Sequence, residues 1–201
     1  MIGFYKNTGL CDQPEFLVGR HIYLRLPRSS DWDAWSKLRR HSREFLSPWE
    51  PTWSEKDLSR SSFRRRNREQ MRGFSNGKTY PFFLFSNSDQ NLLGGITLGN
   101  LKRGSVQSAN VGYWIGEIHA RQGYMIEGLN CALAYAFKEI GLHRVEAACM
   151  PKNIASKGLL ERSGFKLEGC VREYLYIDGA WEDHLLYNIL KTDWERSKYL
   201  E

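Results

Sequence analysis

No stretch of this 201-residue chain comes near the roughly 20 consecutive apolar residues that span a bilayer, so no membrane segment is expected. The opening residues, Met1 to Arg20, lack a basic patch followed by an apolar run, and no secretory leader is expected there. Cysteine is scarce and scattered: Cys11, Cys131, Cys149 and Cys170 form no C-x-x-C pair. That spacing argues against structural zinc and against a disulfide framework, and no metal is expected. It fits four small buried hydrophobes in a reducing cytoplasm. No internal repeat and no second domain are visible, so residues 1–201 read as one domain. Acidic residues are the minority, 23 against 29 Lys and Arg, for a formal net charge of +6. The excess favours acidic partners (phosphorylated coenzymes, nucleic acid or an anionic assembly) without choosing among them. What the chain does have is core material: 41% hydrophobic and 13% aromatic residues mark it as globular rather than disordered.

The stretch from Asn110 to Phe137 organises the rest. Val111 to Ile115 is aromatic and β-branched and reads as a strand. Polar residues follow through Gln122. From Gly123 onward Ile126, Leu129, Leu133, Phe137 and Ile140 recur at helical spacing. A strand that ends in a loop and opens a helix offers unpaired N–H groups at the positive end of a dipole, a site for an anion. The expected anion is the pyrophosphate of a coenzyme.

Elsewhere, residues 1–20 read as irregular. Ile22 to Leu26 alternates up to Pro27 and reads as the first strand. Ser29, Ser30 and Asp31 can cap a helix from Trp32 to Arg40. Phe45 to Pro51 reads as a loop, with two prolines bracketing Trp49 and Glu50. Ser54-x-x-Asp57 resembles a capping box and opens a helix to about Gly73. That helix carries Arg60, Arg64, Arg65, Arg66, Arg68 and Arg72, of which 60, 64, 68 and 72 form a drifting stripe. The stripe is either a solvated face, partly offset by Glu55, Asp57 and Glu69, or a contact for RNA or an acidic partner. Tyr80–Phe85 and Leu92–Leu98 read as strands, with Gly94 and Gly95 marking a bulge or a close backbone approach. Val145–Met150 is a strand stopped at Pro151. Asn153 caps a helix through Arg162, and Asp178-Gly179 joins the strands Leu167–Ile177 and Trp181–Leu190 as a hairpin. The order implies an α/β (α+β) chain with a mixed sheet and helices on both faces.

Several segments together resemble the GNAT acetyltransferases, and within them the RimJ/RimL group of ribosomal-protein N-terminal acetyltransferases. Phe45-Leu46-Ser47-Pro48-Trp49-Glu50-Pro51 is similar to a loop of the RimJ branch. Gly112-Tyr113-Trp114-Ile115-Gly116 resembles the family's fourth strand. Leu142-His143-Arg144-Val145, and Pro151-x-Asn153-x-x-Ser156 with Gly164-Phe165, resemble its coenzyme half. Tyr174 to His184 resembles its final hairpin. The resemblance covers nearly the whole chain. It implies a mostly antiparallel sheet whose fourth and fifth strands splay apart, acetyl-CoA as donor and a primary amine as acceptor.

The family's pyrophosphate loop, Q/R-x-x-G-x-G/A, falls on Ile118-His119-Ala120-Arg121-Gln122-Gly123, where only the last glycine is kept. The resemblance assigns coenzyme contacts to the backbone of Trp114 and Ile115, to the loop and helix start Arg121, Gln122, Gly123, Tyr124 and Met125, and to the Asn153 amide. Arg121 could grip phosphate with its guanidinium fork. Ser156 could protonate the departing thiolate. In the related RimI branch a glutamate base lies on the fifth strand and a tyrosine acid on the following helix. Here those positions are Ala148 and Leu160. Glu50 is the candidate base, with Trp49 beside it in the substrate loop; Glu173, Asp183, His184 and a water relay are its rivals. The implied substrate is the N-terminal alanine of a small-subunit ribosomal protein, with the basic helix touching the ribosome. Two alternatives stay open: acetylation of a small amine such as a polyamine or an antibiotic, and a non-catalytic ribosome-assembly role.

Overall fold

A computed structural model describes residues 3–6 and 14–197. Among these, nine strands form one sheet in the order β1-β2-β3-β4-β5-β6-β7-β9-β8. They are β1 (Gly3–Lys6), β2 (Pro14–Val18), β3 (Ile22–Arg25), β4 (Tyr80–Ser86), β5 (Leu92–Lys102), β6 (Ser108–Ile115), β7 (Arg144–Cys149), β8 (Lys166–Ile177) and β9 (Ala180–Leu190). All neighbours are antiparallel except β6 and β7. The mixed, mostly antiparallel sheet that the family resemblance implies is therefore present.

The middle of the sheet is covered on both faces. Along β4 every residue is buried, and the side chains alternate as a pleated strand requires. Phe82 and Leu84 face α4 (Tyr124–Lys138), whose Leu129, Leu133 and Phe137 fill the main core. Phe83 and Phe85 face α1 (Trp32–His41) and α3 (Arg60–Ser75), packing with Trp35, Leu38 and Phe63. Gly128 brings α4 close: a Cβ there would sit 2.9 Å from Leu84 Cδ1 and 3.0 Å from Ile96 Cδ1. Pro81 has no N–H to give, and it lies where β4 outruns β3, whose pairing stops at Phe83.

Several boundaries differ from the sequence reading. Residues within the first twenty form β1 and β2 instead of irregular chain. Phe45–Pro51 is not all loop: a short helix α2 (Arg43–Leu46) leads into a 3-10 turn, Ser47–Trp49. The Ser54–Asp57 capping box is real, but it opens only a 3-10 turn, Glu55–Leu58. The long helix starts afresh with Ser59 as its cap, accepting from Ser62 N–H at 3.3 Å. A terminal helix, α6 (Lys191–Ser197), packs Trp194 against Phe137. Cys131 and Cys149 are buried as expected; Cys170 is exposed on β8, and Cys11 lies outside the described residues.

The outer strand β8 has an unusual environment. Residues 166–176 are all exposed, including Leu167, Tyr174, Leu175 and Tyr176. It pairs only with β9, and its register slips twice, once at Glu168 and once over 172–174. At the second slip Glu173 adopts a left-handed backbone (φ 48°) and gives its N–H to Asp183 Oδ1 at 2.9 Å.

Candidate active site

The parallel neighbours β6 and β7 pair over three positions only, Ser108–Asn110 against Arg144–Glu146. Beyond them β6 stays with β5 and β7 stays with β9, so the two strands part and leave a wedge between them. The Gly116 N–H bonds the Leu93 carbonyl at 2.8 Å. Alternation along an antiparallel ladder then turns the backbone of Trp114 and Gly112 toward β5, and that of Tyr113 and Ile115 toward the wedge. The Trp114 carbonyl lies against Gly94, as this phase demands. Ile115 is thus placed with free polar backbone at the splay. Trp114 is not; its indole instead crosses the other face of the sheet. Gly95 makes room for that ring, since a Cβ there would lie 2.7 Å from Trp114 Nε1.

At the mouth of the wedge a 3-10 turn, Glu117–His119, leads into the loop ahead of α4. The first backbone bond of α4 runs from Glu127 N–H to the Gly123 carbonyl, so the N–H groups of Tyr124, Met125 and Ile126 precede the ladder. Gly123 is left-handed at φ 85°, and so is Arg121 at φ 62°. Arg121 thus holds the backbone shape that glycine adopts freely, at a cost of about 1–2 kcal/mol for a residue with a Cβ. The Arg121 side chain is exposed, as is that of Gln122. Burial holds the His119 imidazole below its ordinary pKa. His21 fastens the first turns of α4 to the β2–β3 bend, its N–H bonding Glu127 Oε1 at 2.8 Å.

Across the wedge, Asn153 caps α5 (Ile154–Arg162), its Oδ1 accepting from Ser156 N–H at 3.0 Å. Ser156 Oγ is 2.6 Å from the Tyr113 hydroxyl, so a hydroxyl pair joins β6 to the helix that follows β7. Burial raises the Tyr113 pKa well above the usual phenol range and keeps the ring neutral. Tyr113 was invisible as a site residue in the sequence, because nothing in Gly-Tyr-Trp-Ile says which face each ring takes.

On the opposite face of the sheet a cavity of about 480 Å³ lies between α1, α3, the 50–53 loop and strands β4 to β6. Glu50 lines it, but both carboxylate oxygens accept from Arg39, at 2.8 and 2.5 Å. Arg39 in turn lies between two indoles, 4.9 Å from Trp53 and 5.2 Å from Trp114. With both oxygens held, Glu50 ties the 50–53 loop to α1 through Arg39. Trp49 sits in the preceding turn and is not among the lining residues; Trp53 takes that place. Two of the rivals are also engaged: Asp183 accepts from the Glu173 N–H at the β8 slip, and buried His184 bonds through Nδ1 to the Glu182 carbonyl at 2.9 Å. The hairpin tip reaches this wall, Asp178 N–H bonding the Glu50 carbonyl at 3.1 Å.

A splayed β6/β7 pair with a helix start at its mouth and an acceptor-side cavity beyond is a donor–acceptor arrangement for acyl transfer. The family model for the acetyltransferase (GNAT) domain matches residues 21–166. The chain belongs to the GNAT acetyltransferases. The [ribosomal protein uS5]-alanine N-acetyltransferase of Escherichia coli K12 is 35% identical over 166 residues, 82% of this chain and 86% of that one. Among solved GNAT structures, the ribosomal-protein-S5-alanine acetyltransferase of Vibrio fischeri superposes with a TM-score of 0.82 at 29% identity, covering 89% of this chain and 98% of that one. Mycobacterium smegmatis RimJ in complex with CoA-disulfide gives 0.81 at 30% identity, covering 88% and 89%. The chain is an acetyl-CoA-dependent N-acetyltransferase of the RimJ/RimL group, with acetyl-CoA as cosubstrate. Among the described residues no three His, Cys, Asp or Glu side chains converge as a metal site, and no helix is long and apolar enough to cross a membrane.

Proposed function

We propose that this GNAT enzyme acetylates the N-terminal amine of a protein, with the N-terminal alanine of a small-subunit ribosomal protein as its natural acceptor. The observation that carries this reading is the 35% identity, over most of both chains, to an enzyme named for uS5 alanine. A cytoplasmic site of action follows from a ribosomal substrate. The exposed arginines of α3, at 60, 64, 68 and 72, suit contact with the anionic ribosome.

Acetyl-CoA is read as lying in the wedge, its pantetheine amides pairing with the backbone of Tyr113 and Ile115. Its pyrophosphate faces the N–H groups that open α4, from Gln122 to Met125, and the Arg121 guanidinium. The amine enters from the cavity side and attacks the thioester carbonyl directly. The carbon–nitrogen bond forms, the carbon–sulfur bond breaks, and the thiolate takes a proton from Ser156 Oγ. The Tyr113 hydroxyl, 2.6 Å away, stays neutral and holds Ser156 in place, and the proton released by the amine restores the Ser156 hydroxyl through ordered water. Asn153 positions Ser156 through its cap. With Glu50 tied to Arg39, the amine's proton leaves through ordered water.

The test is thiol release with acetyl-CoA and peptides that begin with Ala, Ser or Met. Preferential turnover of the Ala peptide supports the reading. Turnover of polyamines or antibiotics with none on any peptide would replace it with the small-amine alternative. No turnover of any amine would leave the ribosome-assembly alternative.

A further inference from the structure

The acceptor-side cavity carries a cation that the chemistry above does not use. Of its charged lining residues, Arg39 and Glu50 neutralise each other in a two-point ion pair. Asp57 is fastened to its own turn, Oδ2 accepting from the Ser54 N–H at 2.7 Å and the Ser54 Oγ at 2.9 Å. Arg66 has no carboxylate within salt-bridge distance among the described residues. Its guanidinium lies over the Trp35 ring at 5.0 Å and opens onto the cavity. Burial, and then the nearby positive charge of Arg39, pull its pKa below the usual value for arginine, and the charges of Asp57 and Glu50 offset this only in part. Next to it Asn67, 8% exposed, leaves its Oδ1 without a hydrogen bond, and Trp53 Nε1 is likewise unpaired. Buried polar groups without partners are uncommon in folded proteins and point to something that completes them. Farther out, the 60–75 helix carries six arginines and a single glutamate, so the approach to this wall is strongly positive.

We propose that Arg66 makes this cavity a recognition site for a carboxylate, supplied by an Asp or Glu within the first few residues of the acceptor's N-terminus. The inference rests on the reading of the acceptor as a protein N-terminus, and it names which N-termini the enzyme prefers. A carboxylate gives Arg66 two acceptor oxygens in the planar arrangement that a guanidinium matches. The peptide backbone on either side supplies amide groups for Asn67 and Trp53. The Trp35 ring beneath the guanidinium restrains it, so less side-chain freedom is lost when the acid arrives. A lysine at the same peptide position meets Arg66 with like charge and is rejected.

Three cavity tryptophans, Trp35, Trp53 and Trp114, provide the readout. The full chain is titrated with peptides Ala-Glu-, Ala-Gln- and Ala-Lys- of otherwise identical sequence, following intrinsic fluorescence in the presence of CoA. The Glu peptide binds at least about 10-fold tighter than the Gln peptide, as a charged hydrogen-bonded pair implies, and the Lys peptide binds weakest. Arg66→Met, which keeps the packing on Trp35, brings the Glu-to-Gln ratio to within about twofold while acetyl-CoA affinity stays as it was. Arg66→Lys retains a part of the preference. Equal affinities in the wild type, a ratio that survives Arg66→Met, or no binding of any peptide would each overturn the proposal. Glu-selective binding without thiol release would instead sink the acetylation of N-termini and leave the carboxylate site standing. Thiol release with no Glu preference would do the reverse.

Discussion

The Arg39–Glu50 pair separates two accounts of the acceptor side, and a double-mutant cycle decides between them. Arg39→Met removes the guanidinium but leaves a flexible apolar chain between Trp53 and Trp114. Glu50→Gln keeps one acceptor oxygen and removes the charge. Their side chains are 11% and 21% exposed, between the surface and the interior. Exposed pairs contribute about 0–1 kcal/mol, and losing one partner of a buried pair costs about 3–5 kcal/mol, so each single change should cost about 2 kcal/mol. For a chain of this length that is a fall in Tm of about 4–8 °C. Once one partner is gone the second change removes little more, so the double variant should lie close to the singles, a coupling of about 1.5–2 kcal/mol. Urea unfolding of the four proteins measures this, and thiol release on an Ala peptide measures kcat alongside. Stability losses that simply add, within about 0.5 kcal/mol, would show that the pair does not hold the wall. A loss of about 100-fold or more in kcat for Glu50→Gln, at unchanged stability, would make Glu50 the base and refute the structural role given to it.

Ser156→Ala should lower kcat about 100-fold with little change in the KM for acetyl-CoA; an unaltered kcat removes it from the protonation of the thiolate. Arg121→Gly should raise Tm by a degree or two, because relief of the left-handed strain slightly exceeds the entropy glycine adds to the unfolded chain, and should weaken CoA binding several-fold. A lower Tm, or unchanged CoA affinity, would contradict one half of that statement. Gly95→Ala should cost about 1–3 kcal/mol by pushing its Cβ into the Trp114 indole, and should shift tryptophan emission and peptide affinity while leaving CoA binding in place. Tyr187 has its pKa pushed up from 10 to about 12 by burial and by its bond to Glu161. The folded state therefore holds this proton more tightly than the unfolded chain. The stability it contributes is complete below pH 10 and is lost as pH rises from about 10 through about 12. Tyr187→Phe should flatten that alkaline fall in urea midpoint, and an unchanged slope would contradict it.

The elements that sequence could locate are those with a strong local period or a firm stop. The helix of Ile126, Leu129, Leu133 and Phe137 and the Asp178-Gly179 hairpin are examples. So is the Asn153 cap, whose hydrogen bond is formed as the spacing implies. The first two strands are short elements at one end of the sheet, and their pairing is decided by neighbours in space. The capping box at Ser54 is genuine chemistry on a single turn; only the three-dimensional break before Ser59 shows that the long helix begins later. The acceptor wall was hidden for a different reason. Arg39 and Glu50 are eleven residues apart with two turns between them, and Arg66 stands in a run of arginines that are all exposed. Charge and spacing describe those arginines identically; contact with Trp35 separates one from the rest.

The outer strand β8 has a consequence for how this protein behaves at high concentration. An eleven-residue exposed ribbon at the rim of a sheet, bearing Leu167, Val171, Leu175 and Tyr176, is a ready template for a strand from another molecule. Two interruptions spoil the template. The slips at Glu168 and over 172–174 break its line of donors and acceptors, and Lys166, Glu168, Arg172 and Glu173 place charge along it. The kink at Glu173, secured by Asp183, is thus a guard against fibre-like stacking as well as a turn in a strand. Straightening it by deleting residues 172 and 173 would regularise the local ladder while making the purified enzyme prone to end-to-end growth, visible as light scattering that rises with concentration.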